Sequence, residues 1–336
     1  MLSLGPQLDP TLRVGPPSPK NGRGTKWLIH FKDESKIEMA RVLITGASGM
    51  VGGGLSEHLA GKGDIVYRLV RRPPQSEDEI EWSPDNRTID AGSLNGIETV
   101  YHLAGENIAE GRWTEAKKAR IRDSRVIGTT LLSETLAGLD NPPSTLVAAS
   151  ALGYYGDRGD DILTEESPSG EGYLPEVCVQ WEQATESAAA AGIRVVNIRI
   201  GIVLARSGGA LAKMLLPFKL GVGGVLGPGT QYMSWITLDD LVNVFHYCAT
   251  TDELTGPVNG VSPGTVTNKA YTKALGRAVA RPTIFPMPAF AARLAFGEMA
   301  EALLLSSTRV EPRRLSEIGF VFQHPEIDEA LVEAVK

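Results

Sequence analysis

The run Val42-Leu43-Ile44-Thr45-Gly46-Ala47-Ser48-Gly49-Met50-Val51-Gly52 constrains the fold more than any other stretch. Its first four residues are apolar or β-branched, the pattern of a parallel strand buried on both faces. Gly46, Gly49 and Gly52 follow at GxxGxxG spacing, and Met50, Leu55 and Leu59 continue at helical spacing. The expected unit is strand, glycine turn, helix. Backbone N–H groups at such a helix start point outward, and the helix dipole favours an anion there. Glycines let the chain turn tightly and let a pyrophosphate approach the backbone. The expectation is a dinucleotide held by Thr45, Gly46, Ser48, Gly49, Met50, Val51 and Gly52. The plainer alternative is a turn that only packs a helix on a sheet.

From Arg41 onward, strand-like and helix-like stretches alternate. That argues for an α/β fold, a doubly wound parallel sheet with helices on both faces. Further strands are expected at 65–70, 80–82, 99–103, 145–150 and 195–200. Helices are expected at 114–136, 175–191, 238–248, 268–278, 289–305 and 327–335. Residues 39–205 read as the nucleotide-binding Rossmann domain, 206–285 as substrate-side segments, and 286–336 as a C-terminal helical lobe. Ligands in such sheets sit at the carboxyl ends of the strands, at the switch point. That groups Gly46, Arg71, Ser150 and the strand end Leu103-Ala104-Gly105 around one crevice.

With 336 residues the chain can bury a large core. Its net charge of −7 forms no basic stripe, so no nucleic acid is expected, and no apolar run is long enough to span a bilayer. Two cysteines, Cys178 and Cys248, suggest no disulfide framework and fit a reducing, cytoplasmic setting. Residues 1–38 are proline-rich and read as a disordered extension, with Met39 as an alternative start. Asp9, Asp33, Glu34 and Glu38 argue against an organelle transit peptide. The expected partner is a small-molecule substrate. A homodimer is a further expectation that no residue of the sequence fixes.

The second strand ends Leu69-Val70-Arg71-Arg72, without the acid that grips a ribose 2′-OH in NAD-binding units. A guanidinium there suits a 2′-phosphate, so NADP(H) is favoured over NAD(H). Arg71 and Arg72 are the candidates, with a solvated turn as the alternative for Arg72. Asp90 either meets the adenine or serves a turn.

These residues resemble a known family. The glycine turn, Leu103-Ala104-Gly105-Glu106 and Ser150-Ala151-Leu152-Gly153-Tyr154-Tyr155-Gly156-Asp157 are similar to the extended and atypical short-chain dehydrogenases/reductases, and more narrowly to the epimerase-family subgroup. Arg112-Trp113-Thr114, Ser124-Arg125, the 223–229 loop with Gln231-Tyr232, and Trp235-Ile236 with Asp239-Asp240 fit the same subgroup. Residues 286–335 are similar to the domain of unknown function that ends it. The resemblance implies a Rossmann fold with a C-terminal substrate-side lobe and bound NADP(H). It implies no known reaction.

In the wider superfamily a Tyr and a Lys four residues later share a helix, and a strand-end Ser orients the substrate hydroxyl. Ser150 matches that serine, with a strand-end cap as the alternative. The Tyr–Lys pair is missing: Cys178 and Glu182 stand about where it belongs, and no lysine occurs from Ala119 through Ala212. The candidate catalytic residues are therefore Ser150 with Tyr154 or Tyr155. Cys178 reads as a small buried hydrophobe. Glu182 reads as a helix-surface carboxylate, with acid/base work as the alternative. His102 reads as a satisfied core histidine. Glu106, Arg112, Trp113, Trp181, Lys213, Gln231 and Trp235 are expected around the substrate pocket, with core packing the alternative for Trp181. Together with Arg199, the cations among them favour an anionic substrate. The expectation is an oxidoreductase or epimerase-like enzyme acting on a small or nucleotide-linked hydroxyl or carbonyl compound. The alternative is a non-catalytic NADP(H)-binding sensor or scaffold.

Overall fold

The first strand, β1 (Arg41–Thr45), is buried from Val42 to Thr45 and lies in the interior of an eight-stranded sheet. The other strands are β2 (Ile65–Val70), β3 (Glu79–Ser83), β4 (Thr88–Ile89), β5 (Thr99–His102), β6 (Thr145–Ala151), β7 (Arg194–Ile200) and β8 (Gly256–Gly260). The computed structural model describes residues 39–336, so the N-terminal extension lies outside the described residues. The strand order is β8-β7-β6-β5-β1-β2-β3-β4, and every pairing is parallel except β3 with β4. The chain moves outward from β1 through β2 and β3, then returns to place β5 on the other side of β1, with Val42 opposite both Val66 and Thr99. The switch point therefore lies between the carboxyl ends of β1 and β5.

The helices that flank this sheet begin with α1 (Met50–Gly61), α2 (Glu115–Ala137), α3 (Tyr173–Gln183), α4 (Glu186–Ala190), α5 (Gly209–Lys219) and α6 (Leu238–Thr250). Alternate residues of β1 serve opposite faces. Val42 and Ile44 pack with Leu55 and Leu59 of α1 and with Leu241 and Phe245 of α6. Leu43 packs with Leu132 and Leu136 of α2 and Ala188 of α4. A strand covered on both sides needs an uninterrupted apolar run, which is why its sequence does not alternate. Each such Leu or Ile, fully buried, contributes about 1.5–3 kcal/mol.

The expected helix 175–191 is two helices. Thr185 closes the first with a side-chain bond to the Glu182 carbonyl, which competes with the helical ladder. The expected helix 289–305 is broken at Gly297, whose φ of +63° a helix cannot hold, and helical turns resume over Glu298–Leu305. Several elements escape the sequence pattern, among them an edge strand, a helix and a short hairpin strand. Strand β8 reads Gly-Pro-Val-Asn-Gly, a turn composition, and Pro257 is tolerated because β8 is a sheet edge. Helix α5 is capped by Gly208, begins at Gly209 and contains Pro217. Strand β4 is a two-residue return of a hairpin from β3.

Residues 286–336 hold short helices within the compact unit Met39–Lys336. Arg309–Val310 pairs in parallel with Ile162–Leu163. The buried Asp240 carboxylate at the start of α6 accepts from the backbone N–H groups of Gln323 (2.7 Å) and His324 (2.9 Å).

Candidate functional site

Gly46 leaves β1 with a φ of +70°, and a Cβ there would stand 2.9 Å from the Leu103 carbonyl. The turn is thus pressed against the carboxyl end of β5. A Cβ on Gly52 would lie 2.3 Å from the Gly46 oxygen, so α1 packs on the turn at glycine distance. Gly49 is the N-cap of α1. It supplies no side-chain cap, and no acidic residue occupies the first turn. An α-helix normally satisfies its first N–H groups with a capping side chain. Here the N–H groups of Met50 and Val51 have no hydrogen-bond partner among the described residues. A carboxylate near this end would compete with a phosphate, and none is placed there. The cradle fits a pyrophosphate.

Thr45 does not face that cradle. Its side chain is fully buried and its Oγ1 accepts from the N–H groups of Leu103 (3.0 Å) and Ala104 (3.1 Å). With both acceptor sites occupied, its hydroxyl donates to His102 Nδ1 at 2.8 Å. His102 is then the neutral Nε2–H tautomer and donates to Thr129 Oγ1 at 2.8 Å. This chain locks the two strand ends that flank the crevice. Burial pushes the His102 pKa down to about 4 from 6.5. As pH falls, the unfolded chain takes up this proton first, so stability present above about pH 6.5 is lost toward pH 4. The loss expected from this one residue is about 3 kcal/mol. Thermal melts across that window should show a shallower slope for His102→Gln than for the wild type.

Of the two arginines after β2, Arg72 is committed elsewhere. Its guanidinium forks onto Glu79 at 2.8 and 2.7 Å, and that contact draws the Glu79 carboxyl below the usual carboxylate range. Arg71 is exposed and forms no ion pair or side-chain hydrogen bond among the described residues. Asp90 caps the turn Ala91–Leu94 through the Gly92 N–H and the Ser93 hydroxyl.

Ser150, at the end of β6, donates to Glu182 Oε1 at 2.7 Å. Arg199 holds the same carboxylate in a fork, Nε to Oε1 and Nη2 to Oε2, both 2.8 Å. The side chains of Arg199 and Glu182 are only 3% and 14% exposed. Glu182 is therefore no helix-surface group, and Arg199 is a buried partner of Glu182 with no fork left for substrate. Arg199 also stacks on Tyr154, 3.4 Å from ring centre to guanidinium carbon, and donates to the Tyr155 hydroxyl at 3.1 Å. Tyr155 is fully buried, and its hydroxyl also lies 2.7 Å from Asn259 Oδ1 and 3.0 Å from the Thr164 carbonyl. Burial pushes its pKa up to about 12. Tyr155 is thus a structural phenol, and the catalytic role expected of it falls away. Tyr154 is half-buried, and its hydroxyl has no hydrogen-bond partner among the described residues. Cys178 is buried with its thiol pushed up to about 12, so it packs.

Several expected pocket residues turn out to be braces. Trp235 is fully buried and donates to the Gly264 carbonyl at 2.8 Å. Trp181 is a core residue, 5% exposed. Gln231 is buried and donates to the carbonyls of Leu226 and Leu304. Arg112 donates to the Leu294 and Ala295 carbonyls, and Lys213 to the Ala109 carbonyl, so both tie the loop after β5 to neighbouring segments. Trp113 donates to the Ile108 carbonyl within that loop and meets Tyr173 edge-on. Glu106 is held by Lys117 at 2.7 Å, a bond that draws its carboxyl below the ordinary range. Periodicity could not separate these braces from a pocket wall, because a loop-borne cation looks the same in either role.

A dehydrogenase-like sheet with a glycine cradle at its switch point invites comparison with known proteins. The NAD dependent epimerase/dehydratase family matches residues 42–259. The chain belongs to this family. A domain of unknown function, DUF1731, matches residues 287–334. The epimerase family protein Mb2239 of Mycobacterium bovis is 43% identical over 292 residues, covering 87% of this chain and 96% of that protein. The crystal structure of the human epimerase family protein SDR39U1 (isoform 2) with NADPH is 32% identical with a TM-score of 0.80, covering 88% of this chain and 99% of that one. A nucleoside-diphosphate sugar epimerase from Corynebacterium glutamicum is 35% identical with a TM-score of 0.74, covering 89% of this chain and 59% of that one. Among the described residues, no helix of this epimerase-family chain is long and apolar enough to cross a membrane.

Proposed function

We propose that the chain binds NADP(H) between the carboxyl ends of β1 and β5 and works as an epimerase-family oxidoreductase on a small or nucleotide-linked hydroxyl or carbonyl substrate. The uncapped α1 N-terminus behind three close-packed glycines carries this reading. The NADPH-bound human relative supports it. Arg71 would hold the 2′-phosphate, and the first N–H groups of α1 the pyrophosphate. The nicotinamide supplies or accepts a hydride when bound. Ser150 already donates to Glu182, so its oxygen is left to accept a hydrogen bond from a substrate hydroxyl and orient it. Tyr154 would exchange the proton with the reacting oxygen. Two free, buried cysteines suit work in the cytoplasm.

Arg71→Ala should weaken NADPH binding about ten- to a hundredfold and barely alter NADH binding, because one charge-assisted contact is worth about 1.5–3 kcal/mol. Arg72→Ala should change neither by more than about threefold, since its fork is closed by Glu79. Calorimetry with both cofactors separates the two arginines.

Following NADPH absorbance against a carbonyl panel tests the reaction. Ser150→Ala and Tyr154→Phe should each lower turnover about tenfold or more, with Cys178→Ala within a few-fold of wild type. A large loss at Cys178 with none at Ser150 would point to thiol chemistry instead. The missing Tyr–Lys pair favours a second reading, a non-catalytic NADP(H) sensor or scaffold. That reading takes over if NADPH binds tightly and no carbonyl compound consumes it.

A further inference from the structure

Arg125, on α2, is a cation that the mechanism above leaves unused. Its guanidinium lies against the crevice floor: a Cβ on Gly105 would stand 3.4 Å from Cζ and 3.5 Å from Nη2. Gly105 directly follows the Leu103-Ala104 backbone on which the Gly46 turn is pressed. The guanidinium carbon sits 5.0 Å from the Trp181 ring centre. Nη1 donates to the Ile121 carbonyl of its own helix at 2.9 Å. No other hydrogen bond and no ion pair engages Arg125 among the described residues.

Its carboxylate neighbours are already taken. Glu106 is bound by Lys117 at 2.7 Å, with Arg120 at 3.8 Å, and Glu182 is forked by Arg199. Burial opposes the Arg125 charge and pulls its pKa below the usual arginine value. Stacking on an indole compensates only part of the cost of withdrawing a cation from water. The indole N–H of Trp181 is itself buried without a partner. A half-buried guanidinium with a single hydrogen bond, to the Ile121 carbonyl, thus sits over an indole whose N–H has no partner.

Resting on the NADP(H) reading above, we propose that Arg125 receives a carboxylate of the substrate. Shape selects the class. Glu106 is met by Lys117 and Arg120, and Glu182 by Arg199, so neither carboxylate is left for Arg125. The planar fork, backed by a flat indole, fits a planar carboxylate on its open edge.

The test uses protein saturated with NADPH and measures thermal shifts in millimolar pyruvate, benzoylformate or hexanoate, against the matching amides and inorganic phosphate. At least one carboxylate should raise the melting temperature where its amide and phosphate do not. Arg125→Met should abolish that shift, keep NADPH affinity within about threefold, and melt no lower than wild type without ligand, since an unpaired charge has been removed. Arg125→Lys should keep a weaker shift. No shift from any carboxylate in the wild type, a shift that survives Arg125→Met, or an equal response to phosphate would overturn the proposal. A loss of NADPH affinity in Arg125→Met of about tenfold or more would assign the residue to the cofactor. Failure of the wild type to bind NADPH at all would instead overturn the underlying reading.

Discussion

Gly52→Ala, the addition of one carbon, should lower NADPH affinity about a hundredfold and also lower the melting temperature by several degrees. The new Cβ would lie 2.3 Å from the Gly46 oxygen and 2.8 Å from its carbonyl carbon. Those atoms are backbone, so α1 or the turn must shift. Overpacking of this kind costs about 1–3 kcal/mol. The turn has little room to yield toward β5, because even a Cβ on Gly46 would lie 2.9 Å from the Leu103 carbonyl and 3.0 Å from the Ala104 nitrogen. Gly49→Val separates binding from folding. Gly49 has a φ of −79°, which any residue adopts, and its Cβ would meet only the Gly46 oxygen, at 3.3 Å. Valine there should block the cradle while the melting temperature stays within about 2 °C of wild type. Equal NADPH affinity in Gly49→Val and wild type would mean the turn is only a packing device.

The second large effect is expected at Arg199. Arg199→Met leaves the Glu182 carboxylate buried with only the Ser150 hydroxyl, and breaking such a pair from one side costs about 3–5 kcal/mol. It also removes the plate under Tyr154 and a donor to Tyr155. Glu182→Leu should cost a similar amount by stranding the guanidinium. The double variant should be more stable than either single one, because two apolar side chains leave no unmatched charge. Denaturant melts of the four proteins measure the coupling. Additive losses would show that the pair is not the organising contact.

The sheet's centre was legible because its strands are buried on both faces and say so in unbroken apolar runs. Val42-Leu43-Ile44 and Leu146-Val147-Ala148 admit few other placements. Its edge was not, since Gly256-Pro257-Val258-Asn259-Gly260 has the composition of a turn and is a strand only because β7 pairs with it. At the site, Ser150 and the glycines were readable from local spacing. The Ser150–Glu182–Arg199 contact was not, because it joins three elements at separations of 32 and 17 residues. The absence of a lysine from Ala119 through Ala212 did hold a signal. Glu182, four residues after Cys178, pairs with Arg199 of the next strand and supplies an ion pair where the superfamily pattern has an ammonium. Thr45, Tyr155, Trp235 and Gln231 show the opposite limit: polar or aromatic residues at a crevice edge look functional in sequence, yet here their polar atoms brace the backbone.

In the proposed function, the cradle and Arg71 together select NADP(H). Titrating the wild-type chain with NADPH and NADH in the same calorimetric buffer tests it most directly. NADPH should bind at micromolar affinity or tighter, and at least about tenfold better than NADH. Equal affinities for the two, or no NADPH binding, would contradict it.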